Sequence, residues 1–297
     1  MRFLLTALLT CTLAATPIEG QEGLKIYISA DMEGLTAAVT NQQLGPAGFE
    51  YQEFRQIMTA EVNAAIEAAR SVGATEFVVS DSHGNGQNLL VNQLPNDIQL
   101  IRSWPRPLGM MEGLDDSFDG VIFIGYHSST TNPSGVRAHT FSSGNYAAVT
   151  LNGMPVPEAG FNAAIAGYFG VPILAISGDD ATIAEAKEIL GDVEGAIVKW
   201  SYGFHSARTL MPDAGRQLIK EKVTTAIKRI ADFTPFKIDS PVRLEVTFKN
   251  YMPAELASYL SNVDRVDAHT IGFTGEDILE VSKFTQFLVR YRANLEP

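Results

Sequence analysis

The sequence predicts an α/β fold: a mostly parallel sheet with helices on both faces, followed by a smaller C-terminal α+β part. Three observations carry that expectation. Apolar, β-rich runs with little polar alternation recur along the chain, among them KIYISA, TEFVVSD and GVIFIGYH, the pattern of strands buried on both faces. Longer segments of helical periodicity, such as YQEFRQIMTAEVNAAIEAARSVG, lie between strands, and such alternation argues for parallel pairing. The composition, 45% hydrophobic and 19% charged with 25 Gly and 14 Pro in 297 residues, is that of a globular chain without low-complexity bias.

Taken in order, the chain opens with MRFLLTALLTCTLAATPIEGQEG: a basic start at Arg2, an apolar run from Phe3 to about Ala15, then small residues and a proline. This reads as a secretory signal peptide over residues 1–22, too short to span a bilayer, and it predicts an exported protein, periplasmic or secreted. No other stretch approaches the roughly 18 apolar residues of a membrane span, so no membrane partner is expected after cleavage. The only cysteine, Cys11, falls inside this segment, and the mature chain is expected to carry neither thiol nor disulfide. Lys and Arg total 22 against 34 Asp and Glu, a net charge of −12. Without a basic run to track a phosphate backbone, nucleic acid is not an expected partner.

The main domain is expected over 23–236. Strand KIYISA, the long helix after Tyr51, strand TEFVVSD and strand GVIFIGYH come first. AAVTLNGMPVP reads as a hairpin or strand–turn unit. A helix near 158–169, strand VPILAIS, a helix over 181–190, strand GAIVKW and an amphipathic helix around 210–233 follow. FTPFKIDSP, with two prolines, leads into a C-terminal subdomain over 237–297. It is expected to hold strand VRLEVTF, a helix near 253–260, strand-like RVDAHTIGF and a last helix from about 275 to 293.

The chemistry-bearing residues gather at strand ends. The first strand runs into Asp31 and Glu33, which project the same way if the extended conformation persists two residues past Ala30. In open α/β sheets that carboxyl end is where ligands bind. Two close carboxylates repel unless a cation or shared proton intervenes, so the pair is either a metal site or an acidic turn. TEFVVS runs into Asp81 and His83 before a Gly-rich turn, and GVIFIGYH ends in His127. Each histidine is a candidate ligand or a hydrogen-bonded turn residue. Glu158 follows GMPVP at the start of a helix, as a ligand or as a favourable partner of the helix dipole.

Imidazole and carboxylate together suit zinc or a similar first-row divalent ion, whereas calcium and magnesium favour oxygen alone. Asp31, Glu33, His83, His127 and Glu158 are too many for one catalytic zinc with an open position. They suffice for two Zn2+ if Asp31 bridges, since dinuclear hydrolytic sites hold their ions roughly 3.5–4 Å apart. Asp179 and Asp180 are read as helix caps at least as readily as site residues. Lys199 and Arg208 are read as solvated surface charges ahead of the alternative that they steer a substrate carboxylate, Asp81 as an orienter of His83 or a shaper of its turn, and His205 and His269 as without an assignable partner.

The blocks SADMEGL, SDSHGNGQNLL, MMEGLDDSFDGVIFIGYHS, GVRAHTF, PEAGFNAAIAGYFGVPILAISGDD and AIVKW occur in order from about residue 24 to past 208. Together they resemble the zinc-dependent D-aminopeptidase family. The resemblance implies a dinuclear metallopeptidase that removes N-terminal residues such as D-Ala from short peptides with a free N-terminus. It implies that Asp31 bridges two zinc ions, with Glu33 and His83 on one and His127 and Glu158 on the other, and that His139 in GVRAHTF is catalytic. It also implies a homo-oligomer, a ring-shaped decamer. The segment from His127 to His139 is about one residue longer than the family's form, and Pro157 stands where the family has glycine. The rival expectations are an exported peptide- or metal-binding protein without catalysis and a dinuclear hydrolase of another amide or ester. G-x-S-x-G, H-E-x-x-H and Walker A signatures are absent from the sequence.

Overall fold

The computed structural model describes residues 23–291, so the expected signal peptide over 1–22 lies outside the described residues. The first half contains β1 (Leu24–Ala30), α1 (Asn41–Leu44), α2 (Tyr51–Arg70), β2 (Ala74–Asp81), β3 (Gln99–Ile101), β4 (Gly120–Ile124), β5 (Tyr146–Leu151) and β6 (Met154–Pro155). Next come α3 (Glu158–Tyr168), β7 (Ile173–Asp179), α4 (Asp180–Leu190), β8 (Glu194–Gly203), β9 (Ser206–Thr209) and α5 (Pro212–Lys228). The chain then forms β10 (Val242–Phe248), α6 (Tyr251–Ala257), β11 (Val263–Arg265), β12 (Thr270–Gly275) and α7 (Ile278–Arg290).

Two sheets result. The larger has the order β3-β2-β1-β4-β7-β8-β9 and is parallel except for β9, which returns antiparallel on β8. The smaller, β11-β12-β10-β5-β6, is antiparallel throughout. The α/β expectation thus holds for the first sheet, with β3 and β9 as added edge strands. RVDAHTIGF, read as strand-like, spans the last residue of β11, a turn and the first four residues of β12. The smaller sheet draws on both sides of residue 236: β10, in its middle, pairs with β12 on one edge and with β5 on the other. Without β5, the backbone groups of β10 on that edge would lose their ladder partners.

Period-two alternation along β1 divides the core. Ile26, Ile28 and Ala30 pack with Met58, Val62 and Ala65 of α2 and with Ile219 and Val223 of α5 on one face. On α2 the buried residues Phe54, Met58, Glu61, Val62, Ala65 and Ala69 recur at three- and four-residue spacing, the stripe that turns a helix toward a core. Tyr27 points to the opposite face. There Phe123 and Ile176 of the first sheet share a core with Phe161 and Ile165 of α3 and with Val149, Leu244 and Ile271 of the second sheet. Helix α3 is buried along nearly its whole length. Its small residues permit this: a Cβ on Gly167 would collide with the Phe236 carbonyl. This sandwiched helix carries Glu158 at its first position.

The strand order reverses around β1. Its successor β2 lies on one side and β4 on the other, so the carboxyl ends of β1, β2 and β4 border a topological switch point, where α/β sheets open a crevice.

Candidate metal centre

Three loops leave those strand ends and converge. β1 stops at Ala30, and residues 32–35 form a turn in which Leu35 N donates to Met32 O at 3.2 Å. The extended geometry expected to aim Asp31 and Glu33 the same way therefore does not extend to Glu33. The two carboxylates meet because the chain turns back. Gly34 N donates to Gly125 O at 2.7 Å, and a Cβ on Gly34 would strike the Tyr126 carbonyl. Gly125 has φ 71°, and a Cβ there would strike the Asp31 carbonyl. Two glycines let the turns after β1 and β4 cross in contact, which only residues without a Cβ permit.

The five expected ligands come together in two groups, Asp31, Glu33 and His83 in one and His127 and Glu158 in the other. The sixth residue of this set, His139, was expected to be catalytic, and it lies beside the second group. Asp31 faces both: Oδ1 is 2.9 Å from His83 Nδ1 and Oδ2 is 3.3 Å from His127 Nε2. Glu33 Oε2 is also 2.9 Å from His83 Nδ1. Glu158 Oε1 lies 3.4 Å from His127 Nε2 and 3.7 Å from His139 Nε2, and it accepts from Phe141 N at 2.7 Å. Pro157 caps α3 in an extended conformation (φ −71°, ψ 169°) that a proline adopts without strain, so the change from glycine leaves Glu158 in place.

The histidines are held in one pattern. His83 Nε2 is 2.6 Å from Leu44 O, His127 Nδ1 is 3.1 Å from Ser128 O, and His139 Nδ1 is 2.8 Å from Arg137 O. A carbonyl only accepts, so each of these nitrogens carries the proton. With a metal in place of the second proton, the other nitrogen of each ring would present its lone pair on the side of the carboxylates, the arrangement that orients imidazole ligands. Buried Glu33 Oε2 and His127 Nε2 make no well-aligned hydrogen bond, although His83 Nδ1 lies 2.9 Å from the first and the Asp31 and Glu158 carboxylates 3.3 and 3.4 Å from the second. Buried polar atoms are rarely left so, and a divalent cation satisfies both. The donor set fits such ions.

The field of the cluster points the same way. Burial pushes Glu33 up, but the charge of His83 and its close polar contact, ahead of the other imidazoles, hold the carboxyl well below the ordinary value. His83 is pushed down by burial and drawn well above its ordinary value by Glu33 and Asp31. His127 behaves likewise under Glu158 and Asp31. Left to protons, the site gathers positive charge on its imidazoles. His139 differs: burial and the His127 charge lower it, so this ring stays neutral near pH 7.

A cavity of about 150 Å³ opens on both groups, lined among others by Trp104, Phe141, Gln286 and Arg290. Gln286 and Arg290 come from α7, in the part of the chain where no site residue was expected. Asp81 does not touch His83. Its carboxylate accepts from Asn88 N, Leu89 N and Asn88 Nδ2, so it shapes the turn. Asp179 caps α4 by accepting from Thr182 N at 2.7 Å and also holds Val136 N. His205 has a partner after all, Arg137.

Lys199 corrects the reading as a solvated charge. It is fully buried, and its ammonium donates to the carbonyls of Glu33, Leu35 and Ala38. Burial pushes it down to about 8, against the charges of Asp179, Glu61, Glu33 and Asp31. The three carbonyls belong to the loop that presents Glu33, so one side chain fastens the loop from beneath. The available signal was its place inside the apolar strand AIVKW, where a charge survives only if paired.

Comparison with known proteins agrees with this geometry. The chain is 36% identical over 261 residues to a D-aminopeptidase of Bacillus subtilis (strain 168), covering 86% of this chain and 93% of that protein. It superposes with a TM-score of 0.86 on a solved structure described as the Zn-dependent D-aminopeptidase DppA from Bacillus subtilis, a self-compartmentalizing protease. That match has 33% identity and covers 89% of this chain and 96% of the other. Residues 24–287 match the profile of the D-aminopeptidase family, and with relatives this similar over nearly the whole described chain, the protein belongs to the D-aminopeptidase family.

Proposed function

We propose that this chain is a dinuclear zinc aminopeptidase that releases N-terminal D-residues such as D-Ala from short peptides, with Asp31 bridging two ions. Glu33 and His83 would complete one site, and His127 and Glu158 the other. The observation that carries this reading is the common orientation of the histidines, each with one nitrogen tied to a backbone carbonyl and the other aimed at buried carboxylates. Bound zinc supplies Lewis acidity toward the amide carbonyl and lowers the pKa of the attacking water.

His139 does the proton work. Its Nδ1 donates to Arg137 O, which leaves Nε2 basic and directed at the cluster. A neutral imidazole there takes a proton from water as the oxygen adds to the amide carbon. It returns a proton to the leaving nitrogen as the C–N bond breaks. The products are the free N-terminal amino acid and the shortened peptide. The side chains of Trp104 and Phe141 narrow the cavity and limit water around the reacting bond.

Export, a homo-oligomer and a decameric ring belong to the same proposal. Export rests on the leader-like N-terminus, the homo-oligomer on the solved relative's description as self-compartmentalizing, and the decameric ring on the family resemblance of the sequence blocks. Purified protein loaded with zinc is expected to hydrolyse D-Ala peptides faster than L-Ala peptides, to lose the activity to a chelator and to regain it on adding zinc back. No hydrolysis of either series with zinc demonstrably bound would favour a binding protein, and hydrolysis of esters or other amides alone would favour a different hydrolase.

A further inference from the structure

Arg137 is a buried cation without an anion. Its residue is 6% exposed, and no carboxylate among the described residues lies within ion-pairing distance of it. Nη1 donates to His205 Nε2 at 3.1 Å, the guanidinium lies over the Phe204 ring at 4.9 Å, and Nε has no hydrogen-bond partner. A neutral imidazole and a ring face do not compensate the desolvation of a guanidinium, and burying an unpaired charge is costly. Burial lowers its affinity for the proton, and the field of Glu33 opposes this. That carboxylate is already committed to the first donor group.

The residue is also held in an unfavourable conformation. Its φ is 56°, uncommon for a residue with a Cβ and typical of positions that a site over-determines. The backbone is fixed there from both sides: Arg137 N donates to Phe204 O at 3.0 Å, and Val136 N donates to Asp179 at 2.7 Å. Strain, burial and an unspent donor coincide at one residue, two positions before His139.

Arg137 lines a second cavity, of about 340 Å³, together with Glu33, His83 and the loop residues Leu44 to Gly48. This space adjoins the first donor group, and neither Trp104 nor α7 lines it. The other arginine near the donors, Arg290, has its guanidinium over Trp104 at 3.9 Å and donates to the Gly84 carbonyl. A substrate that places its scissile amide at the two donor groups can extend its leaving part into the second cavity toward Arg137.

We propose that Arg137 receives the C-terminal carboxylate of the leaving residue, so that the site selects very short peptides with a free C-terminus over peptide amides and longer chains. The proposal rests on the aminopeptidase reading and adds to it the feature that sets substrate length. A guanidinium matches a carboxylate through paired N–H donors, and Arg137 has Nε unspent for that purpose. A charge-assisted contact of this kind corresponds to roughly 10- to 100-fold in kcat/KM.

The test compares D-Ala-D-Ala with its C-terminal amide on the zinc-loaded enzyme, and then on Arg137→Met and Arg137→Lys, with metal content measured for each. Wild type is expected to prefer the free acid by that factor. Arg137→Met should bring the acid-to-amide ratio close to one, and Arg137→Lys should restore part of it. Equal wild-type rates on acid and amide, or a ratio that survives in Arg137→Met, would overturn the proposal. Calorimetric titration of the same two peptides into zinc-loaded His139→Ala separates this from the reaction class. Tighter binding of the acid, lost in the His139→Ala/Arg137→Met double variant, supports the contact even if no peptide is cleaved. Equal affinities refute it even if D-peptides are cleaved rapidly.

Discussion

The imidazole rings of His127 and His139 are stacked, with centroids 3.9 Å apart and planes inclined by 8°. One belongs to the proposed metal shell and the other stands beside it, so the same contact places a ligand and a proton carrier in register. Replacing His139 with alanine removes the carrier and leaves the five proposed ligands untouched. The expected result is two zinc equivalents still bound and a fall in kcat of about 10²- to 10⁴-fold. Metal analysis beside steady-state kinetics decides it, and a near-normal rate would remove His139 from the mechanism.

Among the described residues, Asp31 is the only carboxylate whose two oxygens face histidines of different groups. Asp31→Ala should therefore cost both ions, whereas Glu158→Ala should weaken one site more than the other. Elemental analysis after dialysis reads the difference. Two retained equivalents in Asp31→Ala would rule out the bridge. The variant is also expected to lose measurable peptidase activity, because the remaining donors cannot hold a pair of ions together.

Lys199 is tied to the site through backbone rather than through a ligand atom. Lys199→Met removes the ammonium that donates to the carbonyls of Glu33, Leu35 and Ala38 and deprives buried Glu61 and Asp179 of a cation whose field acts on them. Breaking one side of such a buried arrangement costs about 3–5 kcal/mol. Denaturant unfolding should show that loss. Zinc titration should show weaker binding as well, since the Glu33 loop is no longer fastened. Unchanged stability would contradict the role assigned to this lysine.

Much of the site is legible in the sequence because strands buried on both faces are apolar, so polar residues directly after them stand out. Asp31, His83 and His127 are such residues, and Glu158 is marked by the proline before it. What local pattern does not carry is the path of the chain between such points. The turn at 32–35 depends on Gly34 packing against Gly125, 91 positions away in sequence, and period-two reasoning has no access to that contact. The pairing of β5 with β10 is equally remote, which is why the smaller sheet crosses the expected boundary. Gln286 and Arg290 reach the cavity through the packing of α7, with no motif to announce them. Lys199 was visible as a charge in an apolar run, but its three carbonyl partners were not.

Glu61 offers a pH-dependent test away from the proposed ligands. It lies on the buried face of α2, accepts from Thr36 N at 3.0 Å through Oε1, and leaves Oε2 without a partner. Burial raises its pKa from the ordinary 4.5, a shift that the Thr36 hydrogen bonds and Lys199 only partly oppose. In the window above 4.5 the native protein thus keeps a proton that the unfolded chain has already released. Native then binds more protons than unfolded, so stability falls as pH rises through that window and levels off once native Glu61 has ionised. Glu61→Gln keeps an acceptor for Thr36 N and has nothing to ionise. Measured by urea unfolding at fixed zinc concentration, the variant should gain on wild type progressively from about pH 4.5 upward, with little difference below. A stability difference that is flat across this range would show that Glu61 titrates no differently in the folded protein than in the unfolded chain.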